Sequence, residues 1–184
     1  MQTLSSKRVA ILAANGFEQS EFQQPFDALT GAGASVDVIS LEGGMIKGWK
    51  DKNWGDEVAV TKTVAEADAK DYDALVLPGG VMNPDQLRQS MDAINFVNGF
   101  FDDNKPIAAI CHAPWLLIET GELKGRTVTS YPSLKTDLIN AGANWVDQEV
   151  VVDNGLITSR NPNDLPAFCR KMIEEIAEGV HTDK

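Results

Sequence analysis

Cys111 and His112 stand side by side at the end of a short apolar run, Pro106-Ile107-Ala108-Ala109-Ile110. Trp115-Leu116-Leu117-Ile118-Glu119-Thr120, of helical character, follows almost at once. A thiol is a nucleophile and an imidazole is a base, so the pair could carry covalent chemistry on a carbonyl. The run is continuous and short, as expected of a strand buried on both faces. Gly121 suits the left-handed position that closes the helix. Cys111 would then fall on a sharp strand-to-helix turn, at the C-terminal edge of a parallel sheet. Ala109 and Ala113, two residues to either side, are small, as a nucleophile elbow requires where the backbone passes close to itself. The helix N-terminus favours thiolate over thiol, so the expected thiol pKa is below the free value of about 8.5. A single cysteine is also often buried and inert. The local pattern by itself leaves both readings open.

Two further groups could share the chemistry. Glu18 and Glu21 are three apart and so lie on one helical face, just past a first apolar run, Val9-Ala10-Ile11-Leu12-Ala13-Ala14, broken by Asn15-Gly16. The same pair would serve as a solvated acidic first turn that complements the helix dipole. Gly79-Gly80 closes another apolar run, Ala74-Leu75-Val76-Leu77-Pro78. Consecutive glycines let backbone N–H groups turn toward a ligand, or simply make a tight turn. The chain has only two histidines, His112 and His181, and His181 lies in a polar tail. A glutaminase-type Cys-His-acid triad needs a histidine far downstream, followed closely by an acid, and this chain has none. The base is therefore His112, or no histidine is needed. An imidazolium beside the helix N-terminus would keep Cys111 ionised, and a carboxyl near a thiolate should have a raised pKa. Cys169 sits on the apolar stripe of the last helix and reads as core. The Cys and His residues are not spaced to complete a zinc site, so no metal is expected.

The composition narrows the function classes. With 184 residues, 43% hydrophobic and 23% charged, the chain is expected to be one domain, residues 1–184, with a substantial core. Sixteen basic against 27 acidic residues give a net charge of −11. That balance disfavours nucleic acid and anionic membranes as partners, although solubility explains it equally well. Two cysteines and no recognisable secretory leader point to a reducing, cytoplasmic setting. No apolar run approaches the roughly 18–20 residues of a membrane span.

The elements that must position these groups alternate along the chain. A helical pattern runs from Phe17 to Gly31, and Pro25 should kink or restart it. Ser35–Ser40 reads as a strand, and the Gly-, Lys- and Trp-rich stretch 42–56 as a surface hairpin. Asn83 should cap a helix with Pro84 at its first position, continuing through Leu87, Met91, Ile94 and Val97 to about Phe101. Val128-Thr129-Ser130 suggests a further strand and 133–140 a helix. Asp153-Asn154-Gly155 between two β-runs is a strong hairpin signal. Leu165, Phe168, Cys169, Met172, Ile173 and Ile176 form a closing helix stripe, with a frayed tail from Gly179. Alternating strands and helices argue for a mostly parallel, doubly wound α/β sheet.

With these pieces in order, the chain resembles the ThiJ/PfpI family. The matching residues are Asn15-Gly16-Phe17-Glu18 with Glu21, Ala74 to Gly80, and Ala109-Ile110-Cys111-His112-Ala113-Pro114. Others are Gly125-Arg126, Thr129-Ser130-Tyr131-Pro132, Asn140-Ala141-Gly142-Ala143, Asp147, Glu149 to Asp153, and Leu156 to Pro162. The resemblance covers nearly the whole chain and is closest to the PfpI-like branch, which has histidine after the cysteine. It implies a flavodoxin-like three-layer sandwich, of the class I glutamine amidotransferase kind, and a homodimer or larger homo-oligomer. It further implies that Cys111 is the nucleophile, that Glu21 hydrogen-bonds its sulfur, and that Gly80 and the His112 backbone form an oxyanion hole. In such proteins an acid of a neighbouring subunit orients the histidine, and Asp85 occupies that position. The implied function is a stress-protection hydrolase acting on small carbonyls or glycated amines without a cofactor. The alternatives are an intracellular cysteine peptidase and a redox-sensing or chaperone-like protein whose Cys111 records oxidation.

Overall fold

The computed structural model describes residues 3–181. The chain runs β1 (Arg8–Leu12), β2 (Phe17–Glu18), α1 (Gln19–Gly31), β3 (Ser35–Ser40), β4 (Met45–Lys50), β5 (Asn53–Ala59), β6 (Lys62–Thr63) and β7 (Ala74–Leu77). It continues with α2 (Met82–Leu87), α3 (Met91–Asp102), β8 (Ile107–Ile110), α4 (Pro114–Ile118), β9 (Thr127–Val128) and α5 (Lys135–Asn140). Last come β10 (Asn144–Trp145), β11 (Val151–Asp153), β12 (Leu156–Ser159) and α6 (Leu165–Glu178).

Seven strands form the central sheet in the order β11-β12-β8-β7-β1-β3-β6. All neighbours are parallel except β11, which returns antiparallel on β12 through the Asn154-Gly155 turn. Strands of such a sheet are covered on both faces, which is why they read as continuous apolar runs rather than alternating ones. Ala10, Leu12, Leu75, Leu77, Ile107 and Ala109 pack with Phe96, Phe100 and Leu116 from α3 and α4. Val9, Ile11, Val76, Ala108 and Ile110 pack with Phe22 and Leu29 of α1 and Phe168, Met172 and Ile176 of α6. The result is a three-layer α/β arrangement, as expected. None of the described helices is long and apolar enough to cross a membrane.

Four local expectations are corrected. Helix α1 runs through Pro25 without restarting. Pro25 is buried on the face that packs on the sheet, and that packing offsets the lost helical hydrogen bond. Asn83 does not cap a helix: it lies inside α2, fully buried. Its Oδ1 accepts from Ala14 N at 2.7 Å, and its Nδ2 donates to the carbonyls of Pro78 and Gly79. The pattern expected to run unbroken to Phe101 stops at Leu87. It restarts at Met91 after Ser90, whose hydroxyl accepts from Ala93 N, an N-cap bond that satisfies a free helix donor. The tail is tied down as far as His181: its N–H donates to Asn104 O, and Nε2 lies 3.0 Å from the Glu175 carboxylate.

The stretch 42–56 does form a hairpin, carried on to Ala59. Its strand β4 also pairs in parallel with β2, making a separate three-stranded sheet. The strand expected at 128–130 is the two-residue β9, which pairs with β10 outside the central sheet.

Candidate active site

The site lies where the carboxyl ends of β1, β7 and β8 meet, the edge at which open α/β sheets bind ligands. Cys111 follows β8 immediately and has φ +65°, a left-handed conformation rare for a side-chain-bearing residue. Such a residue costs of order 1–3 kcal/mol and persists only where its surroundings hold it. Here Cys111 N donates to Ser159 O at 3.0 Å, and Cys111 O accepts from Tyr131 N at 2.9 Å. Ala109 and Ala113 are buried beside the turn, as the elbow reading requires.

Glu21, on the first turn of α1, is fully buried. Its Oε1 accepts from Gly79 N at 3.1 Å, and the carboxyl also interacts with the Cys111 thiol. A Cβ on Gly79 would lie 2.5 Å from Glu21 Oε1 and 2.7 Å from Cys111 Cβ, so glycine is needed for the carboxyl and the thiol to meet. Gly80 has φ +80°, and a Cβ there would sit 2.5 Å from Gly16 O. The N–H groups of Gly80 and His112 both interact with the Cys111 sulfur. The two N–H groups that the resemblance names as oxyanion donors therefore converge on the Cys111 sulfur. Glu18 lines the same cleft and accepts from Ser20 Oγ at 3.2 Å.

Protonation follows burial, and it corrects two expectations. Burial pushes the Cys111 thiol up rather than down, and the Glu21 charge adds to this. The Gly80 and His112 N–H groups oppose it without prevailing. Glu21 rises from 4.5 to about 8, chiefly through burial and then through the charge of Glu18. Burial lowers the His112 pKa, so its imidazole is neutral at neutral pH, not the imidazolium expected from the sequence. At neutral pH the site thus holds a thiol, a protonated carboxyl and a neutral base. His112 Nδ1 is 3.1 Å from Cys111 Sγ, within reach of the thiol proton. Its Nε2 meets Ser133 Oγ at 3.5 Å, and its ring stacks on Tyr131 at 4.6 Å between centroids.

Among the predicted site residues, Cys111, His112, Glu21, Glu18 and Gly80 share one cleft of about 420 Å³. Asp85 does not join them: it is exposed on α2 and away from the cleft lining. Trp49, Val81, Met82 and Pro162 also line the cleft, and sequence reasoning did not assign them to it. Trp49 arrives on the hairpin, and only its pairing with Glu18 across β2 and β4 brings it there. Away from the cleft, Glu175, Glu178 and His181 hold ligand atoms within 4.8 Å of one another, a cluster that Cys and His spacing did not signal.

Fold and site together define a flavodoxin-like α/β protein with a cysteine on a nucleophile elbow. A profile of the DJ-1/PfpI family matches residues 7–175, and the chain belongs to that family. It is 44% identical over 168 residues to YraA of Bacillus subtilis, named as a candidate cysteine protease, covering 91% of this chain and 97% of that one. General stress protein 18 of the same organism is 43% identical over 91% of this chain and 96% of its own. A deglycase of Pyrococcus horikoshii is 42% identical over 167 residues, 91% of this chain and 98% of that one. Among solved structures, Drosophila melanogaster DJ-1beta superposes with a TM-score of 0.84 at 34% identity, covering 96% of this chain and 91% of that one.

Proposed function

We propose that this protein is a cysteine-dependent hydrolase of reactive carbonyls. On this reading it converts 2-oxoaldehydes, free or attached to an amine as a glycation adduct, into 2-hydroxy acids. The observation that carries the reading is the Cys111 elbow with a neutral base at 3.1 Å and a carboxyl whose pKa is near neutrality. The relatives named deglycase support the substrate class.

The chain's residues divide the work as follows. Cys111 Sγ adds to the aldehyde carbon and forms the S–C bond, while the thiol proton passes to His112 Nδ1. The carbonyl electron pair moves to oxygen, which the Gly80 and His112 N–H groups stabilise where charge develops. On a glycated amine the same sulfur displaces the amine, which leaves with the thiol proton. Glu21 acts in the fraction of molecules in which it has released its proton to solvent, a fraction that a pKa of about 8 leaves available near neutrality; so ionised, it takes the proton from C1 and returns it to C2. The C2 oxygen takes the proton held on His112, or that of the C1 hydroxyl when the adduct was a glycated amine, so C1 becomes a thioester carbonyl and C2 bears a hydroxyl; one carbon is oxidised and the other reduced with no external oxidant. Water then cleaves the thioester and restores the thiol. Cys111→Ser should abolish lactate formation from methylglyoxal; unchanged turnover would end this reading.

A cysteine peptidase is the second reading, favoured by the direct Cys111–His112 contact. It needs an acid to orient His112, yet Nε2 meets only the Ser133 hydroxyl within the described residues. A second copy would have to supply the acid, with exposed Asp85 as the candidate, and peptide hydrolysis should then depend on assembly.

A further inference from the structure

Three of the large apolar side chains that the protein leaves exposed surround one opening. Val81 is 53% exposed, Met82 37% and Tyr131 41%, and all three line the cleft above Cys111. Single exposed apolar residues need no explanation, but a cluster at the mouth of a reactive site does. Trp49 and Pro162 complete the wall. The two aromatic groups are held in place rather than free. Trp54 packs edge-on against Trp49 at 5.4 Å, and Tyr131 lies flat on His112 with an interplanar angle of 23°. Rings fixed in advance lose little freedom when a ligand binds.

The space does not match a three-carbon substrate. Five heavy atoms, each given the ~30 Å³ that a water occupies in the liquid, fill about 150 Å³. The cleft, open at its mouth, offers about 420 Å³, which leaves room beside such a substrate for a larger substituent. Its polar groups, Glu18, Glu21, Cys111 and His112, can serve the dicarbonyl end. The remaining wall is apolar and aromatic and suits a substituent of that character.

We propose that the cleft selects 2-oxoaldehydes bearing an aryl group on the keto carbon, and that Trp49 is the residue that determines this specificity. The inference rests on the carbonyl reading above and uses the same reaction: an aryl 2-oxoaldehyde and water become the aryl 2-hydroxy acid. Phenylglyoxal is the probe and mandelate its product. The wild type should show kcat/KM for phenylglyoxal at least tenfold above that for methylglyoxal. Trp49→Ala should reduce this ratio about tenfold, and Trp49→Phe should restore most of it. A ratio near one, or a ratio unchanged in Trp49→Ala, overturns the proposal.

Binding to Cys111→Ser separates this inference from the reaction itself. By titration calorimetry mandelate should bind at least tenfold more tightly than lactate, with the preference lost on adding Trp49→Ala. If neither aldehyde turns over but mandelate is still preferred through Trp49, the carbonyl reading fails and the aryl site stands. Equal binding of the two acids overturns the aryl site whatever the turnover.

Discussion

Replacing Glu21 by Gln should make the protein more stable in mild alkali while abolishing carbonyl turnover. The Glu21 carboxyl loses its proton near 4.5 in an unfolded chain and near 8 in the folded one. Between those values the unfolded chain has released the proton and the folded chain has kept it. Stability therefore falls as pH rises, at ~1.4 kcal/mol per pH unit. Below pH 4.5 both states are protonated and above pH 8 both are ionised, so the slope is confined to that window. Across it the wild type loses on the order of 4–5 kcal/mol through this one group. Glutamine keeps the shape of the protonated acid, with an acceptor for Gly79 N–H and an NH2 donor group where the acid has its O–H, but cannot ionise. Its stability should lack this component, so its advantage over wild type should grow from pH 5 to pH 8.5 by on the order of 4 kcal/mol. His112 and Glu175 titrate in both proteins and largely cancel in the difference. Urea unfolding at pH 5, 6.5 and 8.5 measures it. A difference that stays constant with pH, or that shrinks as pH rises, would refute the assignment of a buried, proton-holding Glu21.

The remaining predictions concern the scaffold and the wall. Asn83→Ala leaves Ala14 N–H and the Pro78 and Gly79 carbonyls without their buried partner, so it should cost about 2–4 kcal/mol in urea unfolding. A loss below about 0.5 kcal/mol would deny that Asn83 ties the strand-end loops. Gly79→Ala places a methyl against Glu21 and Cys111 and should lower stability by roughly 1–3 kcal/mol and remove most turnover. Wild-type rates in that variant would show that the two groups need not meet. Cys111→Ser and the Trp49 series test the nucleophile and the wall as described above.

Much of this molecule was legible in short stretches of chain. The strands β1, β7 and β8 announced themselves as apolar runs because each is covered on both faces. The elbow at Cys111 was readable from a strand-like run, small flanking residues and the helix that follows. The glycine pair marked a turn whose backbone N–H groups could face a ligand, and the scarcity of histidine left His112 as the imidazole available to the site. These features depend on residues within a few positions of one another. Pro25, by contrast, breaks an isolated helix by its own chemistry, and only packing against the sheet keeps α1 continuous. Asn83 carries an ordinary cap signature, and its actual partners lie at the ends of β1 and β7.

The sequence by itself determined the fold class and singled out Cys111, Glu18, Glu21 and the glycine pair as the residues that could share one site. Tertiary structure decided which of these groups hold protons. Desolvation comes from the elements packed around the site; it outweighed the N–H groups that would have ionised Cys111, and it left His112 neutral. Tertiary structure also decided the shape of the cleft, because Trp49 reaches it through strand pairing between residues some thirty positions apart, a contact that no local pattern of side chains encodes.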